Sequence, residues 1–166
     1  LNTDTIADAA AFHTTGITPA LSDATAETTE TLLDIAGSND TLRSFDLNYR
    51  SKLWSHEAAA AGYDAILPAV DLLFAPHRDA SAILGYEGDA EAVARGLAAD
   101  YDLDAVVVTR GAEGSLAFVD ETVVEEGADG RLAGDASVAK NAIGGQNYSD
   151  RDAPSIGEIG PEPGSL

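Results

Sequence analysis

Three features of the 166-residue chain predict an α/β fold built on an open, mostly parallel sheet flanked by helices. Strand-like and helix-like segments alternate over residues 11–109, the run Ala105-Val106-Val107-Val108-Thr109 is almost wholly apolar, and 45% of the residues are hydrophobic. The length suits one domain with a sizeable core, and two independent domains would be cramped. Residues 11–17 mix aromatic and β-branched side chains and read as a strand that Pro19 closes. Ser22 is a good N-cap for a helix running to Ala36, with Thr25, Thr29, Leu32, Leu33 and Ala36 on one face and Glu27, Glu30 and Asp34 opposite; Gly37 is the stop. Residues 43–47 form a short strand, and Ser55 with its following alanines starts a helix that ends before Pro68. Residues 70–75 read as a buried strand ended by Pro76, followed by a short helix over 79–84 that Gly85 stops. Asp89 caps a helix whose stripe is Ala90, Val93, Ala94, Leu97 and Tyr101, with Glu91 and Arg95 paired at i,i+4. The apolar run at 105–109 predicts a strand buried on both faces, and residues 115–119 and 122–125 a hairpin across Asp120-Glu121. After Gly127 the periodicity dissolves, and residues 127–166 read as a Gly/Pro-rich, poorly ordered tail beside a folded unit at 1–126.

Charge narrows the partners. Nine Lys and Arg against 29 Asp and Glu leave −20, which argues against nucleic acid and anionic membranes, since both are bound by neutralising phosphates with cationic side chains. No apolar run approaches the roughly 18 residues of a membrane span, and the start Leu1-Asn2-Thr3-Asp4 has no basic leader, so the expectation is a soluble, cytoplasmic chain. The absence of Cys removes disulfides, thiolate nucleophiles and cysteine metal sites. The chain also lacks Met and opens on Leu1, the mark of a fragment or a displaced start. The acidic surface, with Lys52 and Lys140 as the sole lysines, is similar to that of salt-adapted archaeal proteins.

Open α/β sheets bind ligands beyond the carboxyl ends of their strands, which directs attention to three places. In Asp46-x-Asn48-x-Arg50, continued extension would point a carboxylate, an amide and a guanidinium to one side, with Arg50 suited to a carboxylate or phosphate. An Asp46 and Arg50 surface pair with Trp54 as packing explains the same residues. In Thr109-Arg110-Gly111-Ala112-Glu113-Gly114-Ser115, glycines allow backbone N–H groups to approach an anion, but a tight turn between strands needs them too. Asp79, just past a strand, is placed either to hold Mg²⁺ through water or to cap the next helix. His13, His56 and His77 lack metal-ligand spacing and read as structural or exposed, and neither a Walker A sequence nor Gly-x-Ser-x-Gly occurs.

The order of these motifs carries more than any one of them. Phe12-His13-Thr14-Thr15-Gly16-Ile17, then Asp46-Leu47-Asn48-Tyr49-Arg50 with Leu53-Trp54, then Asp71-Leu72-Leu73-Phe74 with Asp79, then Val107 through Ser115 resembles the ribokinase-like (PfkB) sugar kinases over about residues 10–126. The Asn-Tyr-Arg and Leu-Trp elements look like those of 2-keto-3-deoxygluconate kinases. The resemblance implies phosphoryl transfer from ATP, with Mg²⁺, to a keto-deoxy sugar acid. It implies further that Asn48 and Arg50 contact the nucleotide phosphates, that Arg50 also faces the sugar acid, that Thr109, Arg110, Gly111, Gly114 and Ser115 line the nucleotide, and that Asp79 is associated with Mg²⁺.

Three departures from the family pattern qualify that expectation. Pro76, which has no N–H to donate, stands where the family's Asn-x-x-Glu element has its Asn. The family's sugar-gripping amino-terminal region has no counterpart in the 166 residues. The Gly-Ala-Gly-Asp motif is missing as well, for Gly134-Asp135 lacks the preceding glycine. General-base and anion-hole terms are each worth orders of magnitude in such chemistry, about 10²–10⁴ for the base alone. The expectation is therefore a kinase fragment inactive by itself and prone to self-association through an unpaired sheet edge, with a non-catalytic nucleotide-binding or interaction module as the alternative.

Overall fold

The computed structural model of the chain describes residues 3–127 and 132–133. Its centre is a seven-stranded sheet in chain order: β1 (Ala11–Thr15), β2 (Leu42–Asp46), β3 (Leu72–Pro76), β4 (Ala105–Thr109), β5 (Ser115–Val119), β6 (Thr122–Glu126) and β7 (Leu132–Ala133). The first four strands run parallel and the last three antiparallel. Parallel neighbours require crossovers, and helices supply them. After a short α1 (Asp4–Ala7), the helices α2 (Ile17–Ala20) and α3 (Asp23–Gly37) link β1 to β2, α4 (His56–Ile66) links β2 to β3, and α5 (His77–Leu84) with α6 (Ala90–Tyr101) link β3 to β4.

Local signals explain most helix boundaries. The Ser22 side chain accepts from the Thr25 N–H and the Thr25 hydroxyl is reached by the Ser22 N–H, a reciprocal cap at the start of α3. Ser55 and Asp89 accept from the N–H groups of Ala58 and Ala92 in the same way. Gly85, at φ 77°, ends α5 in the left-handed region that glycine enters without cost. The Glu91–Arg95 pair forms at 2.9 Å.

Cross-strand register sets the core. Phe45, Leu73, Val106 and Phe118 are successive partners across β2 to β5, so they share one sheet face. They join Leu33 of α3, Tyr63 and Ile66 of α4, Ile83 of α5, and Val93 and Leu97 of α6 in a single buried cluster. The helices α3 to α6 therefore pack on one side.

Several sequence expectations shift here. Val106 and Val108 are fully buried but Ala105 and Val107 only partly, because the described helices cover a single face; β4 is not buried on both. Residues 16–20 leave the strand: α2 contains Pro19, tolerated because a first-turn N–H has no intrahelical partner. Pro76 is the last residue of β3, and α5 starts at His77, so Pro76 occupies the N-cap and Asp79 is not the capping residue. The hairpin of β5 and β6 forms as expected, with Asp120 and Glu121 both at positive φ. Within the 127–166 segment, Leu132–Ala133 pairs with Glu125 and Glu126 as β7; the remainder of the tail expectation lies outside the described residues.

Candidate functional site

All four parallel strands end toward the same side, and the connections leaving β2, β3 and β4 form the candidate site. In the β2 connection, extension stops at Asp46. Leu47 turns inward and is fully buried, its N–H bonded to the Phe74 carbonyl at 3.0 Å. Asn48 sits at φ 39°, a left-handed conformation that asparagine tolerates better than most residues, and its N–H donates to Asp46 Oδ1 at 3.0 Å. The expected convergence of Asp46, Asn48 and Arg50 by continued extension therefore does not occur. Arg50 is exposed and donates to the neighbouring Tyr49 carbonyl at 2.9 Å, and no ion pair joins it to Asp46 among the described residues. Trp54 does pack, edge-on to Tyr63 with ring centroids 5.2 Å apart.

The turn after β4 has the tight geometry that one of its two readings required. Arg110 N–H donates to the Gly114 carbonyl at 2.8 Å, which closes the connection to antiparallel β5. Gly111 lies at φ 61° and Gly114 at φ 88°; a Cβ on Gly114 would stand 1.9 Å from the Glu126 carbonyl oxygen, so only glycine fits. Pro76 and Thr109 are register partners, which brings the start of α5 beside this turn.

Between them opens a cleft of about 680 Å³ lined by Pro76, His77 and Arg78 on one side, Thr109, Arg110, Gly111 and Glu113 on another, and Asp89 and Ala90 behind. Thus Thr109, Arg110 and Gly111, expected from sequence, line one cavity. Gly114, Ser115, Asn48, Arg50 and Asp79 are not among its lining residues. Glu113 lies within the Thr109–Ser115 run singled out from sequence, whereas His77, Arg78 and Asp89 are wall residues that linear reasoning did not assign to a site. The available signal was topological: if β3 and β4 are neighbours, the residues just after Pro76 must face those just after Thr109.

Electrostatically the cleft is mixed, with Arg78 and Arg110 on its walls beside Asp89 and Glu113. The N-termini of α5 and α6 both border it; α5 has no side-chain cap, whereas the Asp89 carboxylate caps α6 by accepting from the Ala92 N–H. Arg110 Nε is buried without a hydrogen-bond partner, while its Nη1 lies 3.3 Å from Glu125. Of the six described Lys and Arg residues, Arg50, Lys52, Arg78 and Arg110 all lie just past the carboxyl ends of β2, β3 or β4. Arg43 and Arg95 are committed elsewhere, to a fork on Asp71 and to Glu91 with the Phe118 ring.

Carboxylates stand both on the cleft wall and near it: Asp89 and Glu113 line it and are exposed, whereas Asp79 is buried and Asp46 half-buried. Asp79 is 6% exposed, in the first turn of α5, and its Oδ1 lies 3.1 Å from Arg78 Nε. Burial pushes the Asp46 carboxyl above the ordinary range, only partly offset by the Asn48 N–H, His13 and Arg50, while Asp79 adds to the rise. Among the described residues no three His, Asp or Glu side chains gather as a metal site. His13 bonds Ser44 at 3.1 Å, His56 stands edge-on to Tyr49, and His77 contacts the Gly88 carbonyl at 3.0 Å.

An open α/β sheet with a cleft beyond the carboxyl ends of its strands is the architecture of a ligand-binding α/β fold. Residues 1–136 match the model of the pfkB family carbohydrate kinases, and the chain belongs to that family. It is 50% identical over 126 residues to a 2-dehydro-3-deoxygalactonokinase of Haloferax volcanii, a match covering 76% of this chain and 40% of the relative. Among solved structures, 2-dehydro-3-deoxygluconokinase of Thermotoga maritima superposes with a TM-score of 0.69 at 26% identity, covering 80% of this chain and 44% of that one. A ribokinase II of E. coli in complex with ATP and Mg²⁺ has the same fold, with a TM-score of 0.63 at 18% identity over 76% of this chain and 40% of that one. The chain thus spans under half the length of these relatives. The Haloferax and Thermotoga relatives are kinases of 2-keto-3-deoxy sugar acids, and no helix among the described residues of this chain is long and apolar enough to cross a membrane.

Proposed function

We propose that these 166 residues carry the nucleotide side of a kinase for a 2-keto-3-deoxy sugar acid and do not transfer phosphoryl groups by themselves. One observation carries the nucleotide assignment. In a chain of net charge −20, Arg78, Arg110 and the N-terminus of α5, which has no side-chain cap, meet at one cleft at the strand ends and are the donors an anion would find there beside Asp89 and Glu113. The cleft's size suits a nucleotide, and the Arg110 side chain is one of its walls. Thr109, Arg110 and Gly111 would hold the phosphate-bearing end, with Arg78 opposite. Asn48 and Arg50, on the adjacent connection, would meet the transferred group and the sugar carboxylate; ATP supplies that group when bound.

Mg²⁺ does not fit the described residues on their own. Asp79 is one buried carboxylate already held by Arg78, and Pro76 cannot donate beside it. No step is assigned to a metal at Asp79. A general base is missing as well, since the sequence holds no Gly-Ala-Gly-Asp, and removal of the base and its anion hole leaves little rate enhancement.

Calorimetry with MgATP tests the assignment. Weak binding is expected, reduced about tenfold or more by Arg110→Ala through loss of a charge-assisted contact. An assay with MgATP and 2-keto-3-deoxygluconate should yield no phosphorylated sugar above background. Absence of nucleotide binding would overturn the first half of the proposal, and turnover abolished by Arg50→Ala the second.

A further inference from the structure

The connection leaving β2 is held from beneath by a residue outside the cleft. Tyr63 of α4 is fully buried, and its hydroxyl donates to the Leu47 carbonyl at 2.6 Å. Leu47 is the hinge of the connection. Its N–H is still tied to β3, whereas the next residue, Asn48, has already turned to φ 39°. The Tyr63 ring meets the far end of the same loop, edge-on to Trp54 at 5.2 Å, and Trp54 in turn accepts the Tyr49 hydroxyl on its carbonyl at 3.1 Å. One side chain therefore touches both ends of the segment 48–54, its hydroxyl the start and its ring the finish.

Gly16 completes the arrangement from the end of β1. Its N–H donates to the Asp46 carbonyl at 2.9 Å, and a Cβ there would lie 2.2 Å from the Leu47 carbonyl oxygen and 2.9 Å from the Tyr63 ring. A backbone oxygen cannot yield as a flexible side chain can, so the absence of a side chain at position 16 is what lets Leu47 and Tyr63 meet. A phenylalanine would fill the core at position 63 equally well. The hydroxyl is thus required by the carbonyl it satisfies and not by packing. Burial pushes the phenol upward, which favours the protonated form that donates.

We propose that Tyr63 is a positioning residue for the Asn48–Arg50 loop, with Gly16 providing the close approach that lets its hydroxyl fix the Leu47 carbonyl. The consequence for ligand binding rests on the proposed nucleotide site; the consequence for the loop does not. Tyr63→Phe and Gly16→Ala are to be compared with the parent chain by amide hydrogen exchange, emission of Trp54, the sole tryptophan, and MgATP calorimetry. For Tyr63→Phe, exchange over 47–54 should accelerate roughly tenfold while Val106 and Val108 amides in β4 hold their rates, as one orphaned carbonyl predicts. Trp54 emission should shift to longer wavelength, and MgATP affinity should fall by a similar factor. Gly16→Ala should loosen the same segment with the hydroxyl intact; should it fail to fold, Tyr63→Phe decides alone. Unchanged exchange over 47–54, or acceleration spread evenly over the sheet, would overturn the proposal. A parent chain that binds no MgATP removes the nucleotide site, and the exchange data then still decide the role of Tyr63.

Discussion

Asp46 combines two demands that pull its protonation in opposite directions. Burial disfavours its charge, and Asp79 repels it, yet the Asn48 N–H bonded to its Oδ1 favours the carboxylate. Burial is the larger effect, so the folded-state pKa exceeds the unfolded value near 3.8. Folding then takes up protons at this position, and stability falls as pH rises from the unfolded pKa through the folded one. Asp46→Asn keeps an acceptor for Asn48 and removes the charge. Its melting temperature should exceed that of the parent at pH 7, and the gain should shrink to nothing as pH falls below 3.8 in thermal scans. A gain independent of pH would show that the ionised carboxylate is not the source.

The hairpin of β5 and β6 shows an element built against local preference. Its two turn residues, Asp120 and Glu121, hold φ at 47° and 60°, the geometry that matches strand twist but costs an L-residue about 1–2 kcal/mol at each position. Two weak contacts offset this, the Thr122 hydroxyl donating to the Asp120 carbonyl at 3.3 Å and Arg95 reaching Glu121 at 3.5 Å, where Glu121 is 89% exposed. Such an ion pair is worth about 0–1 kcal/mol. Replacing Asp120-Glu121 by Asn-Gly should therefore stabilise the chain by about 1 kcal/mol in urea titrations, with the slope of the transition unchanged. Helix α5 is the opposite case, since Pro76 at its N-cap offers no side-chain acceptor. Its start was unreadable locally for that reason, while the Ser22, Ser55 and Asp89 caps of α3, α4 and α6 each announce themselves in the sequence.

A net charge of −20 acts on the molecule as a body. Like charges repel over a Debye length of about 10 Å in 0.1 M salt but only about 3 Å in 1 M, so concentrated salt should favour the compact state. β1 is the outermost strand among the described residues, with β2 as its sole partner, and so presents one unpaired backbone edge. Circular dichroism should show mixed α/β signal in molar KCl that declines at tens of millimolar, and sizing chromatography should show self-association. A monomer equally folded and heat-resistant at both salt extremes would contradict both expectations.

The strands β1 to β6 were legible because a parallel sheet writes itself in short apolar runs separated by amphipathic segments, and caps and glycines mark most boundaries within a few residues. The family, too, was legible, since it rests on the order of motifs along the chain. The site was legible only in pieces. Thr109, Arg110 and Gly111 could be named, but the opposite wall, His77 and Arg78, comes from a connection more than 30 positions earlier and is set there by the register of Pro76 with Thr109. Asn48 and Arg50 were expected to converge with Asp46, yet the buried Leu47, tied to Phe74 and Tyr63, turns the chain at that point. Strand pairing and burial join residues distant in sequence, and the backbone direction at a hinge such as Leu47 depends on those distant partners, so only the packed molecule could decide it.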